Sequence, residues 1–154
     1  MYARRAKASH RDTISYEIDM LEFCAEKLTH SGGSGSDGDS ALSLEGFLLH
    51  YRNLIRFFSG KHHRNDDIST HNCQAWAGRE LSTSEVTTIK EPAAALDDAY
   101  YDSISKYLQH CTSMRHEHDR SWDVQTMAGQ LAPIIDSFER AFPRRNADSV
   151  RLAR

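Results

Sequence analysis

Proline is scarce in this 154-residue chain, which has Pro92, Pro133 and Pro143 and no other. Long helices are therefore permitted over most of its length, because proline removes the backbone donor that continues a helix. Cysteine is scarce as well. Cys24, Cys73 and Cys111 are odd in number and widely spaced. That spacing argues against a disulfide framework or a CxxC metal knuckle and for free thiols in a reducing compartment. No apolar run approaches the roughly 20 residues that span a bilayer. The basic start, residues 1–11, is followed by no apolar core of a secretory signal. A basic excess is also missing: the net charge is −3 at pH 7 with neutral histidine, so no global field attracts nucleic acid. A P-loop, a GxGxxG turn, a nucleophile elbow and the Glu-x-x-His pairs of a ferritin-like di-metal site are all absent, which argues against those enzyme classes. The expected setting is the cytoplasm of a bacterial-type cell, with no membrane partner and no cofactor.

What is present is helical periodicity. Hydrophobic residues make up 39% of the chain and charged residues 27%, which suits one modest core wrapped in polar helix faces. A first helix is expected over 12–29, where Ile14, Ile18, Leu21, Ala25 and Leu28 follow steps of four and three. Asp12 is its expected N-cap. The Gly/Ser/Asp stretch 31–39 cannot sustain a helix and reads as a flexible loop. A second helix is expected over 41–59, capped by Ser40 and stopped by Gly60. Its broad apolar face (Leu44, Phe47, Leu48, Tyr51, Leu54, Ile55, Phe58) makes it the central helix. The third spans 92–114 from Pro92, a favoured first-turn residue. The fourth starts near 121–123, ends before Pro143, and should kink at Pro133. Between the second and third helices, 61–67 reads as a loop and 68–77 as a short helix capped by Asp66 or Asp67. The β-branched run Val86, Thr87, Thr88, Ile89 suggests a short extended piece. The result is an all-α fold, an antiparallel bundle of about four helices over 12–143. A basic flexible N-terminus (1–11) precedes it, and a loose basic tail (144–154) follows.

Three polar clusters are candidates for chemistry. His62, His63, Asp67 and His71, with Cys73 beside them, are residue types that hold zinc. Their spacing fits a solvated loop with a helix cap better, so no metal is assigned. His110, Arg115, His116 and His118 gather at the end of the third helix, where cations meet exposed carbonyls. Of these His110 lies beside the core residues Tyr107 and Cys111 and needs a hydrogen-bond partner. Arg52 and Asn53 flank the apolar face of the second helix. An arginine there needs an acid such as Asp66, Asp67 or Glu45, or an anionic ligand. Arg52, Asp66, Asp67, His110 and Arg115 are therefore the expected binding residues. The nine histidines would move the net charge upward in mild acid.

The segment SLEGFLLHYRNLIRFF, ending at Phe58, and Asp66-Asp67-Ile68 resemble an uncharacterised bacterial helical-bundle family. The resemblance continues in YLQHCTSMR, ending at Arg115, and in Trp122, Ile134, Ile135 and Phe138. Its pattern is RNLI-x-FF, then DD, then H-x-T-x-x-R, and it covers about 42–142. More distantly, Arg52-Asn53 is similar to the start of the HEPN motif. That resemblance implies a helical bundle that works as a dimer and is often a ribonuclease. The positions of the motif's catalytic histidine hold Phe57, Phe58 and Ser59. The leading expectation is thus a non-enzymatic HEPN-like bundle acting by binding and self-association. With Phe47, Phe57 and Phe58 all present, the second helix is apolar over more than half its circumference, so a homodimer is expected through the face that one core leaves uncovered, with a protein or RNA partner. The alternatives are a ribonuclease using Arg52, Asn53 and His110, and a metal-dependent hydrolase using His62, His63, Asp67 and His71.

Overall fold

Apolar residues recurring every three or four positions form a stripe only on a helix, and helices are what the chain adopts. The computed structural model describes residues 2–30, 37–61, 67–109 and 122–144. Among them the elements are α1 (Tyr2–His30), α2 (Asp37–Ser59), a 3-10 turn (Thr70–Asn72), α3 (Cys73–Ala77), α4 (Thr83–Glu85), a π-helical segment (Val86–Lys90), α5 (Glu91–Gln109) and α6 (Val124–Ala141). No strand is assigned among the described residues, so the all-α class holds. No helix among them is long and apolar enough to cross a membrane.

α2 is central, as its stripe predicts. Phe47, Leu48, Tyr51, Leu54, Ile55 and Phe58 are fully buried. α1 lies on one flank and α5 on the other. The pairs Glu17–Asn53 and Cys24–Gly46 show α1 and α2 running antiparallel, since the number rises on one helix as it falls on the other. Arg56–Asp97 and Tyr51–Tyr100 show the same for α2 and α5. Tyr100–Gln130 and Tyr107–Trp122 show it for α5 and α6. An aromatic cluster closes the C-terminal end of α2. Phe138 of α6 meets Phe57 at 5.4 Å, Phe58 at 5.1 Å, Trp76 at 6.3 Å and Phe142 at 5.4 Å between ring centroids.

Several expected boundaries hold. Gly60, at φ +73°, stops α2, and the Thr70 hydroxyl donates to the Phe57 and Phe58 carbonyls that this stop leaves open (3.2 and 2.8 Å). Asp123 caps α6 by accepting from Thr126 N at 2.9 Å, and its carboxyl is held below the usual range mainly by that backbone bond. α6 runs unbroken through Pro133.

Other boundaries move. α1 begins at Tyr2, so its backbone takes in the stretch read as a flexible N-terminus. Arg11 is buried: its guanidinium donates to Phe142 O (3.0 Å), Glu139 Oε2 (2.8 Å) and Ser15 Oγ (2.6 Å). Asp12 and Ser40 are therefore interior helix positions, not caps. α2 takes in 37–39 of the Gly/Ser/Asp stretch, and 31–36 lie outside the described residues. The short helix after α2 is capped by Ser69, not Asp66 or Asp67: Ser69 Oγ accepts from His71 N, and Asn72 completes a capping box. The β-branched run is helical, not extended. A second capping box, Ser82 with Glu85, starts the helix ahead of it. Thr87 and Thr88 then donate to the Thr83 and Ser84 carbonyls (3.3 and 3.0 Å). Such side-chain bonds into the ladder deform a helix, and the turn here widens to π. Ile89 nonetheless reaches the core, fully buried.

Candidate functional site

The α1–α2 seam carries a compact polar set. Glu17 Oε2 accepts from Asn53 Nδ2 at 3.1 Å and lies 2.8 Å from His50 Nδ1. The Tyr16 ring and the His50 imidazole form a T-shaped pair, 5.9 Å between centroids. Glycine at position 46 lets the helices approach: a Cβ there would come within 2.9 Å of Cys24 Sγ. Burial raises the pKa of the Cys24 thiol, which keeps it protonated and unreactive.

The opposite seam, α2 against α5, carries charge. The Arg56 guanidinium lies 3.5 Å from the centroid of the Tyr101 ring and forms an ion pair with buried Asp97 (3.4 Å), without hydrogen-bond alignment. Lys61 Nζ reaches Asp97 Oδ2 at 3.0 Å and Asp98 Oδ1 at 2.6 Å. Its pKa is raised by hydrogen bonds to Asp98 and then Asp97. Arg52, one turn before Arg56, faces the same way. Its Nη1 is enclosed and finds no hydrogen-bond partner among the described residues. The Tyr51 hydroxyl is also enclosed without one, and burial pushes its pKa up, with Tyr100 adding to the shift.

The third place is a cleft of about 380 Å³ lined by Thr70, His71, Glu80, Leu81, Val86 and Lys90. The first and last residues of the π segment both line it, and widened turns of this kind recur at functional sites. Lys90 and His71 offer donors and Glu80 an acceptor, a set suited to a small polar ligand. Buried Cys73 donates to Glu80 Oε2 at 3.6 Å. Burial, then the Glu80 charge and hydrogen bond, raise the Cys73 pKa, so it is no nucleophile as it stands.

Arg52 and Asn53 thus point to different neighbours: Asn53 bonds to α1, whereas Arg52 lies on the α5 side. Adjacent residues on a helix do not share a face. Asp67 is half-buried ahead of the 3-10 turn, and His71 is exposed within that turn. His62, His63, Asp66, His110, Arg115, His116, His118 and Cys111 lie outside the described residues. The pairing expected of Arg52 with Asp66, and its company with His110 in the ribonuclease alternative, therefore fall outside the described residues too. Among the described residues no group of three or more His, Cys, Asp or Glu could hold a metal ion.

The sequence stripes missed an outward feature. Large apolar side chains remain in solvent at Tyr16 (56% exposed), Phe23 (52%), Leu42 (71%) and Leu49 (39%). Tyr16 and Phe23 are two turns apart on α1, and Leu42 and Leu49 are two turns apart on α2. Both pairs lie on the side of the α1–α2 layer away from the core. The seven-residue spacings were there to be read, but each pair lies off the main stripe. By contrast Phe47, Phe57 and Phe58, whose number suggests more apolar surface than one core covers, are 0–3% exposed inside the monomer. α5 covers one flank of α2 and the aromatic cluster its end, which leaves those rings no outer surface. Comparison with protein-family models, curated proteins and solved structures returns no match.

Proposed function

We propose that the chain is a non-enzymatic, HEPN-like helical bundle that acts by binding and self-association, as a homodimer in the cytoplasm. The observation that carries the reading is the outward row of Tyr16, Phe23, Leu42 and Leu49. A large apolar side chain gains about 1.5–3 kcal/mol when it leaves water, and two neighbouring helices presenting such residues together form a patch that a partner can cover. The HEPN likeness is supported by Arg52-Asn53 on the central helix. Phe57, Phe58 and Ser59, at the positions of the missing histidine, are all buried. Two side chains placed there serve the core and one the end of α2, which favours binding over cleavage.

The test is the molar mass of Phe23→Ser and Leu49→Ser by light scattering. Both positions are exposed, so the helical signal is retained. The reading expects the double variant to be monomeric at concentrations where the parent is dimeric. Equal masses for the two would remove it.

One observation favours a second reading, a ribonuclease built around Arg52. Its enclosed Nη1 finds no acceptor among the described residues, as a site awaiting a phosphate would leave it. RNA cleavage by the full chain, lost in Arg52→Ala at unchanged melting temperature, would support it. No cleavage by the parent would dismiss it.

A further inference from the structure

The outward stripe of α1 has a symmetry that bears on how two copies meet. Asp12, Tyr16, Phe23 and Lys27 are all exposed and are spaced four, seven and four. On a helix these steps keep all four on one face. The spacing is palindromic about a point between Asp19 and Met20. An antiparallel copy of α1, related by a two-fold axis at that point, sets residue 12 against 27 and residue 16 against 23. Each aromatic then meets the other aromatic. Each end of the stripe meets its opposite charge, acid against base, twice over.

We propose that the chain self-associates through an isologous α1–α1 contact in this register, a deepening that rests on the self-association reading above. Two-fold contacts require a patch complementary to itself, and this one is so in hydrophobicity and charge. Tyr16 meets the second copy's Phe23, and Asp12 meets its Lys27. The rise of 1.5 Å per residue puts about 10 Å between the two aromatic layers. Helix axes 8–10 Å apart leave room for both rings. Asp19, beside the two-fold axis, is neutralised by Arg144 at 2.6 Å. Leu49 on α2 lies level with the axis, because Glu17 pairs with His50 and Asn53 and Cys24 adjoins Gly46. It widens the apolar centre. Within one chain the Lys27 ammonium lies over its own Phe23 ring, 5.4 Å from the centroid. In the pair this places the cation at the rim of the aromatic layer, where the other copy's Asp12 arrives.

Charge reversal tests the register. Asp12→Lys and Lys27→Glu are each made in the full chain, singly and together, and dimer dissociation is measured by sedimentation at low salt. Each single reversal should weaken the dimer about tenfold, because symmetry replaces two attractions with two repulsions. The double variant should recover to within about twofold of the parent. Added salt should shrink the difference between single variants and parent. Single reversals without effect, or a double variant no tighter than the singles, overturn this register while leaving a parent dimer standing. A parent that is monomeric overturns the self-association reading itself. Circular dichroism on each variant confirms retained helix, so that loss of folding is told apart from loss of pairing.

Discussion

Two regions of the molecule are rich in large apolar side chains and have opposite fates. Phe57, Phe58, Trp76, Phe138 and Phe142 close the end of α2, and each finds at least one other ring within about 6 Å. Tyr16, Phe23, Leu42 and Leu49 lie on the outer side of the α1–α2 layer and stay at least 39% exposed. Apolar content therefore does not tell which region is a core. What tells is whether the chain brings a second element over it. Around the cluster it does so three times: α3 supplies Trp76, α6 supplies Phe138, and Phe142 follows the end of α6. Over the outer face it brings none among the described residues. In the first region the chain covers its own apolar side chains, and in the second it leaves them in solvent.

Phe138→Ala should separate the two regions most sharply. It empties the centre of the cluster and removes the ring under the Arg11 guanidinium (5.0 Å). A loss of about 3–5 kcal/mol is expected by chemical denaturation. Phe23→Ser on the outer face should change the stability of the monomer by less than about 0.5 kcal/mol. Comparable losses at the two positions would break the distinction.

Arg11→Ala comes next. Arg11 ties α1 to the end of α6 through Phe142 O and Glu139, in a site it leaves only 9% exposed. Removing it strands the Phe142 carbonyl and leaves the Glu139 carboxylate with Arg144 alone (3.2 Å), at a cost of about 1.5–3 kcal/mol. Melting of Arg11→Ala within a degree of the parent would show that the first turns of α1 do not belong to the folded unit.

Gly46→Ala probes the seam beneath the outer face. Alanine favours the helix, but its Cβ meets Cys24 Sγ, so a net loss of about 1 kcal/mol is expected. Cys24→Ala in the same chain should relieve the clash, and the two changes should be non-additive by at least 0.5 kcal/mol. Additive effects would mean that α1 and α2 are not this close.

The smallest effect is electrostatic. Arg79 pairs with Glu85 at 2.7 Å and donates to Ala141 O, tying the start of α4 to the end of α6. The Arg79 hydrogen bonds hold the Glu85 carboxyl at about 2, below its usual 4.5. Because the folded value is depressed, the stabilisation is full above pH 4.5 and is lost as pH falls from there to about 2. Arg79 is partly exposed, so the pair contributes less than about 1 kcal/mol. Glu85→Gln should lower the melting temperature slightly at pH 7. The gap from the parent should close as the pH approaches 2, and a gap independent of pH would assign the effect to the helix cap instead.

Much of this architecture is legible along the chain, because its causes are local. The stripe of α2, its stop at Gly60 and the cap at Asp123 need only neighbours within a turn or two. Arg11 was illegible, since its partner Glu139 is 128 positions away and a basic N-terminal run ordinarily marks a loose tail. The π segment was hidden for another reason. Its β-branched residues favour strands, and only the Ser82–Glu85 capping box ahead of them commits the backbone to a helix. In the candidate site, Arg52 could be placed beside the core from its spacing alone. The seam it faces, with Arg56, Asp97 and Tyr101, depends on which helix packs against α2. The outer row was overlooked because the core stripes account for most of the hydrophobic residues.

The central claim is that the outer α1–α2 face is covered by a second copy. Its most direct test is the molar mass of the full chain in solution from low to high micromolar concentration. Self-association predicts a rise from the 17.5 kDa of one chain towards twice that value, with a melting temperature that climbs with concentration. A mass that stays at one chain throughout the range, with a melting temperature independent of concentration, would contradict it.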